Sequence, residues 1–492
     1  MEKSSPFHDK ELRLKPSSSS IPNSLENENR VWRKLDLYIL PVLAIFYLLS
    51  FLDRTNLGNA RIAGLQKDLK MTNKQYSIAL TVTYIPYILA ELPSNLLLKI
   101  IGPNLMLPAM LTLWGIVTTL QGVITTYRGL LICRFFLGLL EGGLFPGLAL
   151  YCSTFYPRNM LNTRITLFFS AASISGAFSG LLAYGIINMD GVGHKPGWAW
   201  IFILEGMVTV VFGVVSFGLL PGTPRQARFL SDEEKDYVER RLKEDHEMSG
   251  KEGENEFSWK EVGRAFKSPQ LWFLLFPFFV SGVLVYSLAY FTPTIVQGLG
   301  YTAARAQLMS VPPFAVGFVV SLLGAYLSDH FSSRGLLSIL TTLLTLTGAL
   351  LFLLSPSSPH RMHVHIQYLS LFFLIPGAYT MAPCLCTWLS NNSHPHTRRA
   401  TSIALSFMCV NTGGVLATWL WGSLSKAPDY KSATIVMIVL LGGELVCLVG
   451  NWGWLKRENG RKVRRREVYG RGGGDEGGDG RGDGSPWFVY SL

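Results

Sequence analysis

Charge is what this 492-residue chain has least of. Asp, Glu, Lys and Arg together make up 16% of it, against about a quarter in a soluble globular protein. The shortage is uneven: the charges sit in blocks, separated by long uncharged runs. Other absences narrow the chemistry. No G-x-x-x-x-G-K-S/T phosphate loop occurs, so no ATP site is expected. The six cysteines (Cys133, Cys152, Cys384, Cys386, Cys409 and Cys447) all fall inside apolar runs, and Cys384-x-Cys386 has no His or Cys companion at zinc spacing. Neither a disulfide framework nor a metal site is therefore expected. No nucleophile–base or metal constellation stands out, which disfavours an enzyme, and no cofactor is expected. Met1–Arg30 is Ser-rich and charged but has no apolar core of a leader, so no cleaved signal peptide is expected.

What the chain does have is apolar length. It is 49% hydrophobic and 12% aromatic, with a mean hydropathy of +0.28. Twelve runs reach the roughly 17–25 residues that a bilayer-spanning helix needs: 37–60, 75–98, 105–125, 129–154, 164–188, 198–219, 270–297, 306–328, 336–355, 364–389, 400–424 and 432–455. The net charge of +11 belongs to the segments between them. Basic residues cluster at Arg30, Arg33 and Lys34, within 222–268, at Arg398-Arg399, and after the last run at Lys456, Arg457, Arg461, Lys462 and Arg464–Arg466. With twelve spans all four clusters lie on one side, and the alternate loops are short or less basic. The positive-inside rule then puts both termini in the cytoplasm. The +11 is an orientation signal, aided by anionic lipid, and not a sign of nucleic-acid binding. The sequon Asn391-Asn-Ser393 falls on that same side and should stay unmodified.

These runs predict an all-α integral membrane protein with twelve transmembrane helices in two pseudo-symmetric six-helix bundles. The expected boundaries are a cytoplasmic N-terminal tail (1–34), a first bundle (35–221), a cytoplasmic linker (222–268), a second bundle (269–456) and a disordered cytoplasmic tail (457–492). In the linker, Ser231-Asp-Glu-Glu234 reads as a capping box opening a short soluble helix through about His246. The stretch Gly470–Gly484 is rich in Gly, Asp and Arg and cannot bury a core. A weak repeat supports the halving: Ala90-Glu-Leu-Pro-Ser-Asn95 then Lys99-Ile-Ile-Gly102 corresponds to Gly324-Ala-Tyr-Leu-Ser-Asp329 then Arg334-Gly335.

Against this background the ionisable residues inside spans stand out, because a charge in hydrocarbon is costly and is kept for a partner or a task. Arg134 and Glu141 lie seven residues apart, about two helical turns, roughly 10 Å along one face. Both side chains lean toward the helix N-terminus and do not meet, so each needs a partner elsewhere. They serve either a polar path or an interhelical ion pair, for which Gly138, Gly142 and Gly143 would allow close approach. Arg54 lies about 27 Å up the first helix if that helix starts at Asp36, which fits a snorkelling interface residue as well as a cavity residue. Asp53 points about 100° away and reads as a structural partner. Glu205 reads as packing or proton relay, Glu91 as structural, and Glu444 as packing or lipid-edge snorkelling. Tyr84, Tyr87, Tyr286, Tyr290, Trp388, Asn411 and Trp421 are candidate cavity residues, although most membrane Tyr and Trp are belt or core. Tyr286 and Tyr290 share one helix face. Pro86 and Pro293 are candidate hinges.

Taken in order, these motifs resemble the major facilitator superfamily, specifically its anion:cation symporter branch and the fungal allantoate-permease type. The likeness covers about 33–456. Asp53-Arg-Thr-Asn-Leu-Gly-Asn-Ala60 is similar to that branch's D-R-x-N-I/L-G-x-A, Glu91-Leu-Pro-Ser-Asn95 to its E-x-P-S-N, and Arg134 to Gly147 to its R-x-x-x-G-x-x-E-G-x-x-x-P-G. Trp198-Ala-Trp-Ile-Phe-Ile-Leu-Glu-Gly206, Leu219-Leu-Pro-Gly-Thr-Pro224, Asn411-Thr-Gly-Gly414, Ala427-Pro-Asp-Tyr430 and Pro486-Trp-Phe-Val-Tyr490 follow at family-like positions. The chain departs from the pattern at Asn95, where the superfamily has an acid, at Ile100-Ile101 in place of a basic cluster, and at Ala199 in place of an Arg.

The resemblance implies a secondary active transporter that imports a small organic anion by proton symport, with no cofactor beyond the proton gradient. The implied solutes are carboxylated vitamins or nitrogen compounds such as allantoate, nicotinate, pantothenate or biotin. Its implied binding residues are Arg54, Asn56, Arg134, Tyr286, Tyr290 and Asn411, with Glu141 and Glu205 coupling protons and Asn95, Lys99, Asp329 and Arg334 gating. Implied partners are the anion, protons and the bilayer, with no nucleic acid, for a monomer in the plasma membrane. A drug:proton antiporter of the same fold is the nearest alternative, but Gly176-Ala-Phe-Ser-Gly180 lacks the Pro and Gly pair such proteins carry in the fifth span. A sugar porter's P-E-S-P-R is absent, and a non-transporting nutrient receptor has only a linker of ordinary length in its favour.

Overall fold

The computed structural model describes residues 21–250, 259–331, 333–355, 361–393, 396–425, 430–471 and 490–491, and they are helical almost throughout. The first bundle comprises α1 (Ile21–Ala60), a short turn α2 (Gln66–Asp68), α3 (Asn73–Ile101), α4 (Pro103–Gln121), α5 (Tyr127–Glu141), α6 (Leu144–Phe155), α7 (Arg158–Phe169), α8 (Ala171–Ile186) and α9 (Gly197–Leu219). The linker forms α10 (Asp232–Gly250) and α11 (Trp259–Lys267). The second bundle comprises α12 (Pro269–Gly298), α13 (Ala303–Phe331), α14 (Arg334–Leu354), α15 (Arg361–Asn391), α16 (His396–Trp419) and α17 (Lys431–Arg471).

Eleven helical runs among the described residues are long and apolar enough to cross a membrane. The remaining expected span corresponds to α3, whose 29 residues also suffice in length. It is less apolar because it carries Tyr84, Tyr87 and Glu91 together with Pro86 and Pro93. Two expected spans are broken in mid-course. The fourth divides between α5 and α6 at Gly142-Gly143, directly after Glu141, and the fifth divides between α7 and α8 at Ser170. The glycine break is a packing requirement: a Cβ on Gly142 would come within 2.5 Å of the Tyr87 carbonyl oxygen on α3. Small residues serve the same end between α4 and α9, where a Cβ on Gly206 would meet the Thr119 amide at 2.5 Å. Apolar side chains such as Leu113, Val208, Val211 and Leu323 point outward and exposed, as a lipid-facing surface requires.

Both terminal helices run past their expected spans, and at the last one this corrects the disordered tail expected from 457. The helix at the first span begins at Ile21, inside the expected tail 1–34, and the last helix runs to Arg471 through much of the expected disordered tail. A charged sequence ends the membrane-embedded part of a helix without ending its hydrogen-bond ladder, so the apolar run understates helix length at both ends. Further on, Tyr490 and Ser491 are docked on the second bundle. Asn459 of α17 exchanges two hydrogen bonds with the Tyr490 backbone, both at 2.9 Å. Trp388 Nε1 and Asn392 Nδ2 donate to the Ser491 carbonyl at 3.0 and 2.8 Å.

The linker divides its loyalties. The Ser231–Glu234 capping box forms as expected, and Glu234 also accepts from Lys34 on α1 at 2.5 Å. Tyr237 packs against Trp32 of α1 with ring centroids 6.1 Å apart. On the other side of the linker, Glu261 of α11 pairs with Arg398 of α16 at 2.8 Å. Burial pushes the Glu261 carboxyl up, but hydrogen bonds from Arg398 and Arg264 outweigh it and hold the group below its ordinary range. Thus α10 belongs to the first bundle and α11 to the second.

Candidate functional site: a chamber between the bundles

The centre of the molecule is organised by one face of α1. Tyr47, Ser50, Phe51 and Arg54 recur at helical spacing and line a cavity with about 840 Å³ of empty space, its open mouth included. The first bundle adds Tyr87, Leu144, Phe145, Phe169, Ser170 and Ser173; the second adds Phe278, Ser281, Tyr286, Tyr379, Cys386, Phe407 and Asn411. Arg54 is the hub. Its Nη2 donates to Glu141 Oε1 at 2.6 Å, and its Nη1 donates to the Tyr286 hydroxyl at 2.9 Å. The Tyr286 hydroxyl in turn donates to Asn411 Oδ1 at 3.2 Å. Ser50, one turn before Arg54, donates to the same Glu141 oxygen. Thus α1, α5, α12 and α16 meet through one guanidinium, and the ion pair is nearly sealed from solvent, Glu141 being 1% exposed. A pair this buried holds together because each charge is both neutralised and hydrogen-bonded.

One side of the chamber is closed. At the end opposite the linker, α1 and α12 press together so tightly that a Cβ on Gly58 would lie 2.3 Å from the Tyr290 carbonyl oxygen. Tyr84 and Tyr290 share a hydrogen bond at 3.1 Å, Ser77 Oγ donates to the Thr418 carbonyl at 2.9 Å, and Thr81 and Thr418 pair at 2.8 Å. These contacts join α3 to α12 and α16 across the two bundles.

The structure sorts the expected site residues into three groups. Arg54, Glu141, Tyr286 and Asn411 meet at the chamber, as do Tyr87 and its neighbours. Tyr290 and Tyr84 belong to the closed side instead. Asn56, Glu205 and Arg134 do not line the chamber. Asn56 is fully buried, donates to Glu205, and accepts from Ser179 at 3.3 Å. It lies two residues past Arg54, roughly 200° round the helix, so one face cannot present both. Arg134 is 2% exposed, lies 5.9 Å over the Phe202 ring, and has no hydrogen-bond partner for Nε and Nη2 among the described residues. Asp53 is the structural acid expected, accepting from Trp114 and from Thr118 at 2.8 Å.

Glu444 is not a lipid-edge residue: it is fully buried on α17, and neither carboxylate oxygen has a hydrogen-bond partner among the described residues. Trp388 holds the chain terminus, and Trp421 packs on Tyr430 at 5.1 Å between centroids, so neither lines the chamber. Of the expected gating set, the Asn95, Lys99 and Asp329 side chains lie outside the described residues, as do most of 427–430 and 486–490. Arg334 donates to the Thr387 carbonyl at 3.4 Å. Sequence reasoning missed Ser50 and Tyr47, which their spacing of four and seven from Arg54 could have revealed. It also missed Phe145 and Phe407, four residues from Glu141 and Asn411, and the walls Phe169 and Tyr379, which carry no such signal.

Two helix bundles around a central ionic chamber are the arrangement of a membrane transporter. The family model for the Major Facilitator Superfamily matches residues 43–418, and the chain belongs to that superfamily. It is 34% identical over 455 residues to the Schizosaccharomyces pombe "Uncharacterized transporter C1002.16c", covering 91% of this chain and 89% of that one. It is 31% identical over 437 residues to the Saccharomyces cerevisiae "High-affinity nicotinic acid transporter", covering 88% and 79% respectively. Among solved structures, the inward open conformation of the xylose transporter XylE from E. coli shares the fold, with TM-score 0.64 at 13% identity over 84% of this chain and 95% of that one.

Proposed function

We propose that the protein imports a small organic anion together with protons, by rocking its two bundles about the chamber. The observation that carries this reading is the Arg54–Glu141 pair, bridged to the second bundle through Tyr286 and Asn411. A solute carboxylate and the Glu141 carboxylate compete for the same guanidinium fork. When the solute takes it, Glu141 is left buried beside a second negative charge, and a proton on Glu141 relieves the repulsion. Solute and proton thus travel together. Arg54 suits the role because its fork is permanently charged and matches a carboxylate.

Arg134 is the second cation of this scheme. Its unpartnered nitrogens become reachable when the side opposite the linker opens, so it meets the anion first. Glu205, held by Asn56, is a secondary proton site. The solute belongs with carboxylated vitamins or nitrogen compounds such as allantoate, nicotinate, pantothenate or biotin, and the relative named for nicotinic acid supports a small carboxylate. The carrier works as a monomer in the plasma membrane with both termini in the cytoplasm, which the basic clusters on the linker side support. Uptake of a labelled carboxylate into cells lacking their own permeases tests this. Uptake should rise as external pH falls, and most of that dependence should be lost in Glu141→Gln, the remainder belonging to Glu205. Uptake indifferent to both would overturn the scheme.

A further inference from the structure

The wall of the chamber carries more information than its ion pair. Nine of its 21 lining residues are aromatic, whereas aromatics make up 12% of the chain. Arg54 is the one charged residue in that lining among the described residues. The Arg54 guanidinium carbon lies 4.9, 5.6 and 5.2 Å from the ring centroids of Phe51, Tyr87 and Tyr286, so rings crowd around the fork. Phe145 and Phe407, from opposite bundles, face each other with centroids 4.3 Å apart and planes 35° apart. Each sits four residues, about one turn, to the linker side of Glu141 and Asn411 respectively.

From this lining we infer that the cargo is a flat aromatic monocarboxylate, anchored through its carboxylate at Arg54 with its ring against the Phe145–Phe407 pair. The inference rests on the anion-carrier reading and adds shape and charge to it. A second carboxylate would be stranded among rings, because Arg54 is the one cation in the lining and Arg134, which the anion meets earlier in its passage, lies outside it. Three of the lining hydroxyls are already engaged, those of Ser50, Ser170 and Ser173 donating to Glu141, the Leu167 carbonyl and the Ser170 carbonyl. A saturated ring of equal size buries similar apolar area, but it lacks the edge-to-face and stacking gain that aromatic walls give another aromatic.

Four probes separate these terms: benzoate, cyclohexanecarboxylate, terephthalate and benzamide, each competed against labelled benzoate on the full-length protein in lipid nanodiscs. Benzoate should bind about threefold to tenfold more tightly than cyclohexanecarboxylate. Terephthalate and benzamide should each bind at least roughly tenfold more weakly than benzoate. Phe407→Leu should pull the benzoate-to-cyclohexanecarboxylate ratio toward one, and Phe169→Leu serves if that variant does not fold. Equal binding of the two rings, abolished by Arg54→Gln, overturns the aromatic cargo and leaves the anion carrier standing. Stronger binding of terephthalate overturns the single-charge argument. Failure of every carboxylate to bind, or binding indifferent to Arg54→Gln, overturns both readings.

Discussion

The two bundles line the chamber with different chemistry. The first buries Asp53, Arg54, Arg134, Glu141 and Glu205 in membrane-length helices, whereas the second offers the chamber Ser281, Tyr286, Tyr379 and Asn411. Its own buried carboxyl, Glu444, sits on α17 and takes no part in the lining. On the proposed function, ionic recognition therefore resides in one bundle, and the other supplies neutral hydrogen bonds and rings. The bond between the bundles at the site is Arg54 to Tyr286, a charge-assisted contact worth a few kcal/mol at most. Bundles held by such contacts can separate during a cycle, whereas an ion pair split across them would resist each opening.

The sharpest way to break this comparison is Arg54→Ala. It should abolish uptake, at least about a hundredfold, and leave Glu141 as an uncompensated buried acid, costing about 3–5 kcal/mol in stability. Thermal unfolding alongside uptake checks both effects, and a second change, Glu141→Gln, should restore stability without restoring uptake.

Gly58→Ala should come next, because the new methyl would meet the Tyr290 carbonyl. Overpacking of about 1–3 kcal/mol disfavours the closed side by roughly fivefold to a hundredfold. Reactivity of a cysteine placed at Ser77 should rise accordingly. On the neutral bundle, Asn411→Ala should raise the apparent KM only about threefold to tenfold, since one uncharged hydrogen bond is lost. An effect as large as that of Arg54→Ala would erase the distinction between the bundles.

Smallest of all should be Glu261→Gln in the linker, within about 1 kcal/mol. The folded Glu261 carboxyl titrates below its unfolded value of about 4.3. Its contribution is therefore present above that value and lost as pH falls through the lower, folded value. Melting temperature against pH should show the variant and the parent converging only in acid, with a constant gap from pH 5 to 8.

The spans were legible because an uncharged run of twenty residues has few other uses. Arg54 and Glu141 were legible because charge at membrane depth is costly. Their partnership was not: they are 87 residues apart in sequence, and nothing in either helix says how it is rotated. Asn56 could have been set aside, since its angle from Arg54 on the helix already opposed a shared face. The aromatic walls could be read only where they fall one turn from a candidate residue, as Phe145 and Phe407 do, because Phe and Tyr serve equally in cores, lipid belts and cavities. The helix past Lys456 was misjudged because hydropathy reports the membrane and not the backbone.

One consequence of the lopsided wall concerns electricity. When empty, the chamber holds a cation and an anion that cancel, and both ride on the same bundle. Rocking the unloaded carrier therefore drags no unbalanced side-chain charge from that chamber through the transmembrane field, worth about 2.3 kcal/mol per charge per 100 mV. Voltage should therefore act little on this pair during the return stroke, and at the chamber mainly through what is loaded.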